Sequence, residues 1–271
     1  MGDRSAIEWT EATWNPVTGC SKTSPGCAHC YAETISLRFK RSQLPWTPAN
    51  APMNVRLHPE RLSQPLRWRR PRLVFVNSMS DLFHERVTAE FVEEVVAVMR
   101  QASWHTFQVL TKRPERARDL LLTGMVSPLP SNVWLGVSIE NSRFAWRADV
   151  LRETPAAVRF VSAEPLLGSL FEAGGRRRSL ELNGIDWLIV GGESGPYARP
   201  TQISWVRELR DACEEREVAF FFKQWGGVRK SETGRELDGQ TYDELPKRLQ
   251  IAVPDLQFRR NALEQLEAEL V

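Results

Sequence analysis

Three of the chain's four cysteines fall within one short stretch, Cys20-Ser21-Lys22-Thr23-Ser24-Pro25-Gly26-Cys27-Ala28-His29-Cys30. Thiolates gathered this closely, in a sequence without secretory features, point to metal binding over a disulfide framework. Three cysteines also cannot all pair with one another. Their thiolates can hold three irons of a [4Fe–4S] cluster and leave the fourth iron open to a small molecule, since full cysteine ligation takes four. Cys213 shares helical spacing with Val206 and Leu209 and reads as a buried small hydrophobe. A structural zinc site of three Cys plus His29 is the alternative. Against it, His29 lies between Cys27 and Cys30, where closing a tetrahedron with both is hard, and a second ligand hairpin is missing.

The other chemically capable side chains follow short apolar runs. Run 73–76 leads into Asn77-Ser78-Met79-Ser80-Asp81, and run 107–110 into Thr111-Lys112-Arg113. Run 133–137 leads into Ser138-Ile139-Glu140-Asn141, and run 158–161 into Ser162-Ala163-Glu164-Pro165. Run 187–190 precedes Gly191-Gly192-Glu193-Ser194-Gly195, and run 219–222 precedes Lys223-Gln224. Helical patterns alternate with these runs. Thr88 is a candidate N-cap with Glu90, Glu93 and Glu94 behind it, and Pro114 opens another helix. Wholly apolar strands between helices predict a parallel sheet covered on both faces. The expected fold is α/β, a complete or partial TIM-type (β/α) barrel, with an open doubly wound sheet as runner-up. In either, chemistry sits at the carboxyl ends of the strands. Glu164, Glu193 and Lys223 are therefore candidate catalytic groups, and Lys112 and Arg113 candidate anion binders. Solvated loop charges and a turn that needs glycine freedom are their ordinary readings.

At 271 residues with 42% hydrophobic and 26% charged content, the chain can bury a substantial core. A formal charge of +2 makes no case for nucleic acid by itself. Only the runs Arg67-Trp68-Arg69-Arg70-Pro71-Arg72 and Arg176-Arg177-Arg178 suggest phosphate contacts, and such runs also serve simply as solubilising loops. The ten tryptophans read as core and loop packing, or as a stacking surface for a base. There is no signal-peptide pattern and no apolar stretch near the ~20 residues that span a bilayer. A cytoplasmic protein without a membrane partner is expected. Residues 1–228 are read as the barrel. Residues 229–271 are read as an appendage of turns plus an amphipathic helix over 257–270, a candidate lid.

Taken together, a series of motifs resembles the phage Gp37/Gp68 family. In the first third these are Ile7-Glu8-Trp9-Thr10, Trp14-Asn15-Pro16, Gly19-Cys20 and Cys27-Ala28-His29-Cys30-Tyr31-Ala32. Then come Ser78-Met79-Ser80-Asp81-Leu82, Leu110-Thr111-Lys112-Arg113-Pro114 and Gly136-Val137-Ser138-Ile139-Glu140-Asn141. Ser162-Ala163-Glu164-Pro165-Leu166, Gly191-Gly192-Glu193-Ser194-Gly195 and Phe222-Lys223-Gln224-Trp225-Gly226 complete the series. That family is related to the radical S-adenosylmethionine enzymes. The resemblance implies a barrel of the radical SAM kind, a [4Fe–4S] cluster on Cys20, Cys27 and Cys30, and S-adenosyl-L-methionine on the open iron. One electron from a donor would then generate a 5′-deoxyadenosyl radical. It further implies cofactor contacts from Ser78, Ser80 and Asp81 and from Ser138, Glu140 and Asn141. The wider superfamily spaces its cysteines C-x3-C-x2-C with an aromatic before the last. Here the first gap is six residues and His29 takes the aromatic's place. A nucleotide or nucleic acid is the expected substrate class. A zinc-stabilised nucleic-acid-binding protein without catalysis, and an iron–sulfur enzyme using its open iron as a Lewis acid, are the rival readings. A protein partner is left open.

Overall fold

The computed structural model describes residues 5–171 and 179–269, so the run Arg176–Arg178 lies outside the described residues. The first part of the chain forms β1 (Ala12–Trp14), β2 (Val17–Thr18), α1 (Tyr31–Arg38), α2 (Ala51–Asn54), β3 (Arg56–Leu57) and α3 (Gln64–Arg67). A regular alternation follows: β4 (Leu73–Val76), α4 (Ala89–Gln101), β5 (Thr106–Thr111), α5 (Pro114–Leu122), β6 (Val133–Ser138), α6 (Trp146–Glu153) and β7 (Val158–Ala163). The last elements are β8 (Trp187–Gly191), α7 (Ile203–Glu215), β9 (Ala219–Gln224), α8 (Lys230–Thr233) and α9 (Leu256–Glu269). Thr88 caps α4 by accepting the Phe91 N–H at 3.3 Å. Pro114 begins α5, where its missing N–H has no helical acceptor to lose.

Seven strands pair in parallel in the order β1-β4-β5-β6-β7-β8-β9, while β2 and β3 make a separate antiparallel ribbon. Chain order is kept across the whole sheet. A doubly wound sheet would reverse it at a switch point, so that alternative is excluded. Successive strand residues point to opposite faces. One face carries Leu73, Phe75, Trp134, Phe160, Trp187, Ile189 and Phe221, which cluster with Trp9. Their neighbours Val74, Val76, Leu135, Val161, Leu188 and Phe222 pack outward with Phe91, Val92, Leu120, Ala148 and Leu209 of the helices.

Trp9 shows that the sheet is curled. Its ring lies 4.7 Å from Phe75 on β4 and 6.1 Å from Trp187 on β8. Those strands are four steps apart, roughly 19 Å in a flat sheet at ~4.8 Å per step. The result is a half-barrel with an aromatic interior. Its last strand does not close on β1. Instead the free edge of β9 is covered by residues 242–244, where the Phe222 N–H donates to Tyr242 O at 3.0 Å and the Glu244 N–H to Phe220 O at 3.2 Å. Pairing hides the row of N–H and C=O groups that an open edge would expose. α9 packs on α3, with Leu266 buried.

Candidate active site

All three loop cysteines are free thiols and line one cavity of ≈ 270 Å³ at the carboxyl ends of the strands. The loop is anchored at its root by two asparagines. Asn15 Oδ1 accepts the Met79 N–H at 2.9 Å, and Asn77, in the left-handed region at φ 61°, accepts the Val17 N–H on its Oδ1 at 3.1 Å. Gly19 follows at φ 82°, with Asn54 O only 1.9 Å from where a Cβ would stand, so no side chain fits there.

Three thiols on one loop are donors of the type that an iron–sulfur cluster or a zinc ion takes. Each thiolate of a cluster meets a different iron, so the three need not converge on one point. Among the described residues no three His, Cys, Asp or Glu side chains gather closely enough to hold one metal ion. His29, the fourth ligand a zinc site would need, turns its Nδ1 to Glu193 Oε2 at 3.1 Å. Cys213 is fully buried on α7 beside Val206 and Leu209. Burial pushes the Cys20 thiol up to about 12, aided by Asp81 and opposed by Arg113, and burial also raises Cys30. At Cys27 burial again pushes upward, but Lys112 and hydrogen bonds from Thr23 and Ser24 together bring the thiol below its usual value.

Three of the carboxylates singled out from sequence are held by arginines. Asp81 accepts from Arg113 Nη1 at 3.2 Å, Thr111 Oγ1 at 2.8 Å and the N–H groups of Phe83 and Lys112, each at 3.0 Å. Arg113 also reaches Cys20 Sγ at 3.6 Å and Ser21 O at 3.2 Å. Glu140 has no exposed surface; it accepts from Arg147 Nη1 at 3.2 Å and from the Ser24 hydroxyl. Glu193 accepts from Arg199 Nε at 2.8 Å and from the Arg199 N–H at 2.9 Å, while Arg199 Nη2 donates to Pro25 O at 2.9 Å. Burial opposes ionisation of Glu193, but Arg199 and His29 hold its carboxyl down at about 2. Sequence reasoning misses Arg147 and Arg199, although each follows its carboxylate by only six or seven residues.

The remaining candidates divide. The Ser78 hydroxyl donates to Asn15 Oδ1 at 3.2 Å and the Ser80 hydroxyl to Val17 O at 3.0 Å, so both fasten the loop root while bordering the cavity. Asn141 caps the turn Ser142–Phe144 by accepting the Arg143 N–H at 3.1 Å, and neither it nor Glu140 borders the cavity. Ser138 does border it, and its hydroxyl has no partner among the described residues. Lys112 borders it too, with Nζ 3.9 Å from Glu140. Glu164 and Lys223 border it as well; Lys223 Nζ pairs with Glu164 Oε1 at 2.9 Å, and the Trp9 indole N–H donates to Glu164 Oε2 at 3.1 Å. Ile7, Trp9, Trp46, Phe75 and Leu110 are among the apolar residues of the wall.

Several expectations find a different place. Trp9, Trp14, Trp46 and Trp68 are buried, which matches packing, while Trp9 and Trp46 also border the cavity. The run Arg67–Arg72 precedes Leu73, the first residue of β4, and so lies at the end of the sheet opposite the cavity. Among the described residues none of 229–269 borders the cavity, and residues 242–244 lie along the free edge of β9. Among the described residues no helix is long and apolar enough to cross a membrane.

Among solved structures, a cysteine-to-serine mutant of spore photoproduct lyase aligns with a TM-score of 0.48 at 14% identity, over 79% of this chain and 75% of that chain. No curated protein matches the sequence. A family model described as "Protein of unknown function (DUF5131)" matches residues 4–246, nearly the whole chain, and the protein belongs to that family.

Proposed function

We propose that the protein is a radical S-adenosylmethionine enzyme in which Cys20, Cys27 and Cys30 hold three irons of a [4Fe–4S] cluster. One observation carries the reading. Three free thiols on one loop face a single cavity at the carboxyl ends of a curled parallel sheet, and the fourth cysteine of the chain is buried elsewhere. The motif resemblance to the phage Gp37/Gp68 family and its radical relatives points the same way. When bound, the cluster and S-adenosylmethionine supply one-electron cleavage of the sulfonium, giving methionine and a hydrogen-abstracting 5′-deoxyadenosyl radical, with the electron coming from an external donor.

The chain's own part is to bind, orient and exclude water. Lys112 and the unpartnered Ser138 hydroxyl, at the ends of adjacent strands, offer a cation and a donor to the cofactor's carboxylate. Ser78, Ser80 and Asp81 act mainly through the loop root, and Glu140 and Asn141 act from outside the cavity. Trp9, Phe75 and Leu110 keep the wall dry. Glu164 and Lys223, paired with each other at the cavity, face the substrate and can accept or donate a proton at Oε1 and Nζ. Glu193 borders the cavity and also meets His29. For the substrate we favour a nucleotide or nucleic acid, a choice supported by the phage-family resemblance and not by the distant run Arg67–Arg72.

The test is titration of S-adenosylmethionine into anaerobically reconstituted protein, followed by reduction. Binding and release of 5′-deoxyadenosine are expected. Lys112→Met should weaken binding about tenfold or more, the worth of one hydrogen bond to a charged group. An intact cluster that neither binds nor cleaves S-adenosylmethionine would overturn the radical reading in favour of Lewis-acid chemistry.

A further inference from the structure

The segment from Cys20 to Cys30 has almost no regular structure of its own. It contains one short turn, Pro25–Cys27, closed by the Cys27 N–H to Ser24 O at 2.9 Å and the Ala28 N–H to Pro25 O at 3.1 Å. Left alone, such a loop would sample many shapes, because fixing each residue's backbone costs roughly 1–2 kcal/mol in entropy. Contacts from three separate strand ends hold it in one shape. Arg113, set by Asp81 after β4, takes Ser21 O and Cys20 Sγ. Glu140, set by Arg147 after β6, takes the Ser24 hydroxyl. Arg199, set by Glu193 after β8, takes Pro25 O, and Glu193 itself meets His29. The fit is closest at Gly26, where a Cβ would lie 2.5 Å from Glu140 Oε1 and 2.6 Å from its Cγ.

We propose that Asp81–Arg113, Glu140–Arg147 and Glu193–Arg199 are positioning pairs that fix the cysteine loop before any metal is present, with Gly26 shaped to Glu140. Asp81 and Glu193 border the cavity and Glu140 does not, and the proposal gives all three a positioning role. Each acts through an arginine or a loop atom on the thiols' spacing. A bare carboxylate facing a ligand would be left with lone pairs free, whereas these are met from within the protein. Buried ion pairs of this kind often serve specificity of structure more than net stability. The proposal rests on the reading of residues 20–30 as a ligand loop, but its test does not need the cluster.

The experiment is amide hydrogen exchange on metal-free, reduced full-length protein, read over residues 24–28. Glu140→Ala should speed exchange there about tenfold, which converts to roughly 1.4 kcal/mol of lost closed-state preference, while β5, β6 and β7 keep their protection. Glu140→Gln keeps an acceptor for Ser24 and the shape beside Gly26, and should stay near wild type. Gly26→Ala alone should also loosen the segment. Combined with Glu140→Ala it should add nothing, because the clash is gone; such non-additivity marks a direct contact. If Glu140→Ala unfolds the chain, Arg199→Ala, at the more exposed pair, carries the same expectation for residues 24–28. Wild-type exchange in a folded Glu140→Ala or Arg199→Ala variant, or fully additive effects of Gly26→Ala and Glu140→Ala, would overturn the proposal. A protein that never assembles a cluster yet shows the exchange pattern would sink the radical reading and leave the positioning pairs standing.

Discussion

An ionised carboxylate taken out of water demands a counter-charge. Asp81, Glu140 and Glu193 each meet that demand with an arginine, while Glu164 meets it with Lys223. All four follow strands, as their place after apolar runs suggests, yet the sequence alone does not sort them. For Asp81 and Glu164 the sorting depends on partners from other strand–helix units, and for Glu140 and Glu193 on an arginine one loop further along. Buried bases pose the same problem in reverse. His105 lies among Trp68, Trp104 and Phe107 and donates its Nε2–H to Pro65 O at 3.1 Å. Burial lowers its imidazole to about 4, so the folded chain keeps it neutral, while an unfolded chain protonates it near 6.5. The unfolded state therefore binds more protons between those values. Stability is complete above pH ~6.5 and falls as pH drops toward 4. His105 alone should account for about 2 kcal/mol lost between pH 7 and pH 5. Urea unfolding at both values checks this: His105→Gln should flatten the decline by that amount, and an equally steep decline in the variant would contradict it. His84 is also held near 4, by burial and by Arg113, so part of the slope should persist.

At the scale of elements, the apolar runs mark β4 to β9 of the large sheet, because strands buried on both faces leave little ambiguity. Helix starts at Thr88 and Pro114 are legible for equally local reasons. What the sequence does not reveal is the inward and outward division of each strand. Both faces are apolar, and the division depends on curvature. Gly136 illustrates this. It sits on β6 facing the interior, and a Cβ there would stand 2.4 Å from the Phe160 ring of β7. The glycine is there for the ring that crosses it. Gly136→Ala should cost about 1–3 kcal/mol through overpacking, measured as a shifted denaturant midpoint. Adding Phe160→Leu should recover much of that loss, since the two residues touch. A neutral Gly136→Ala would show that the ring has room to move and that the interior layer is looser than described.

For the whole molecule, the half-barrel leaves two borders that a closed barrel would not have. One is β1, and the other is β9, covered by residues 242–244. The edge pairing of residues 242–244 is not legible beforehand, because polar, turn-rich sequence says little about where a chain lies. The family match to residue 246 includes the cover and stops before α9. The half-barrel's purpose, on this account, is to bring three thiols and the groups at the ends of β4 to β9 around one cavity. The most direct test is metal and sulfide analysis of protein reconstituted anaerobically, with its absorbance spectrum. The account predicts about four irons and four sulfides per chain and a broad band near ~400 nm, all lost in a Cys20→Ala/Cys27→Ala/Cys30→Ala variant and unchanged by Cys213→Ala. A colourless protein holding one zinc per chain would contradict it.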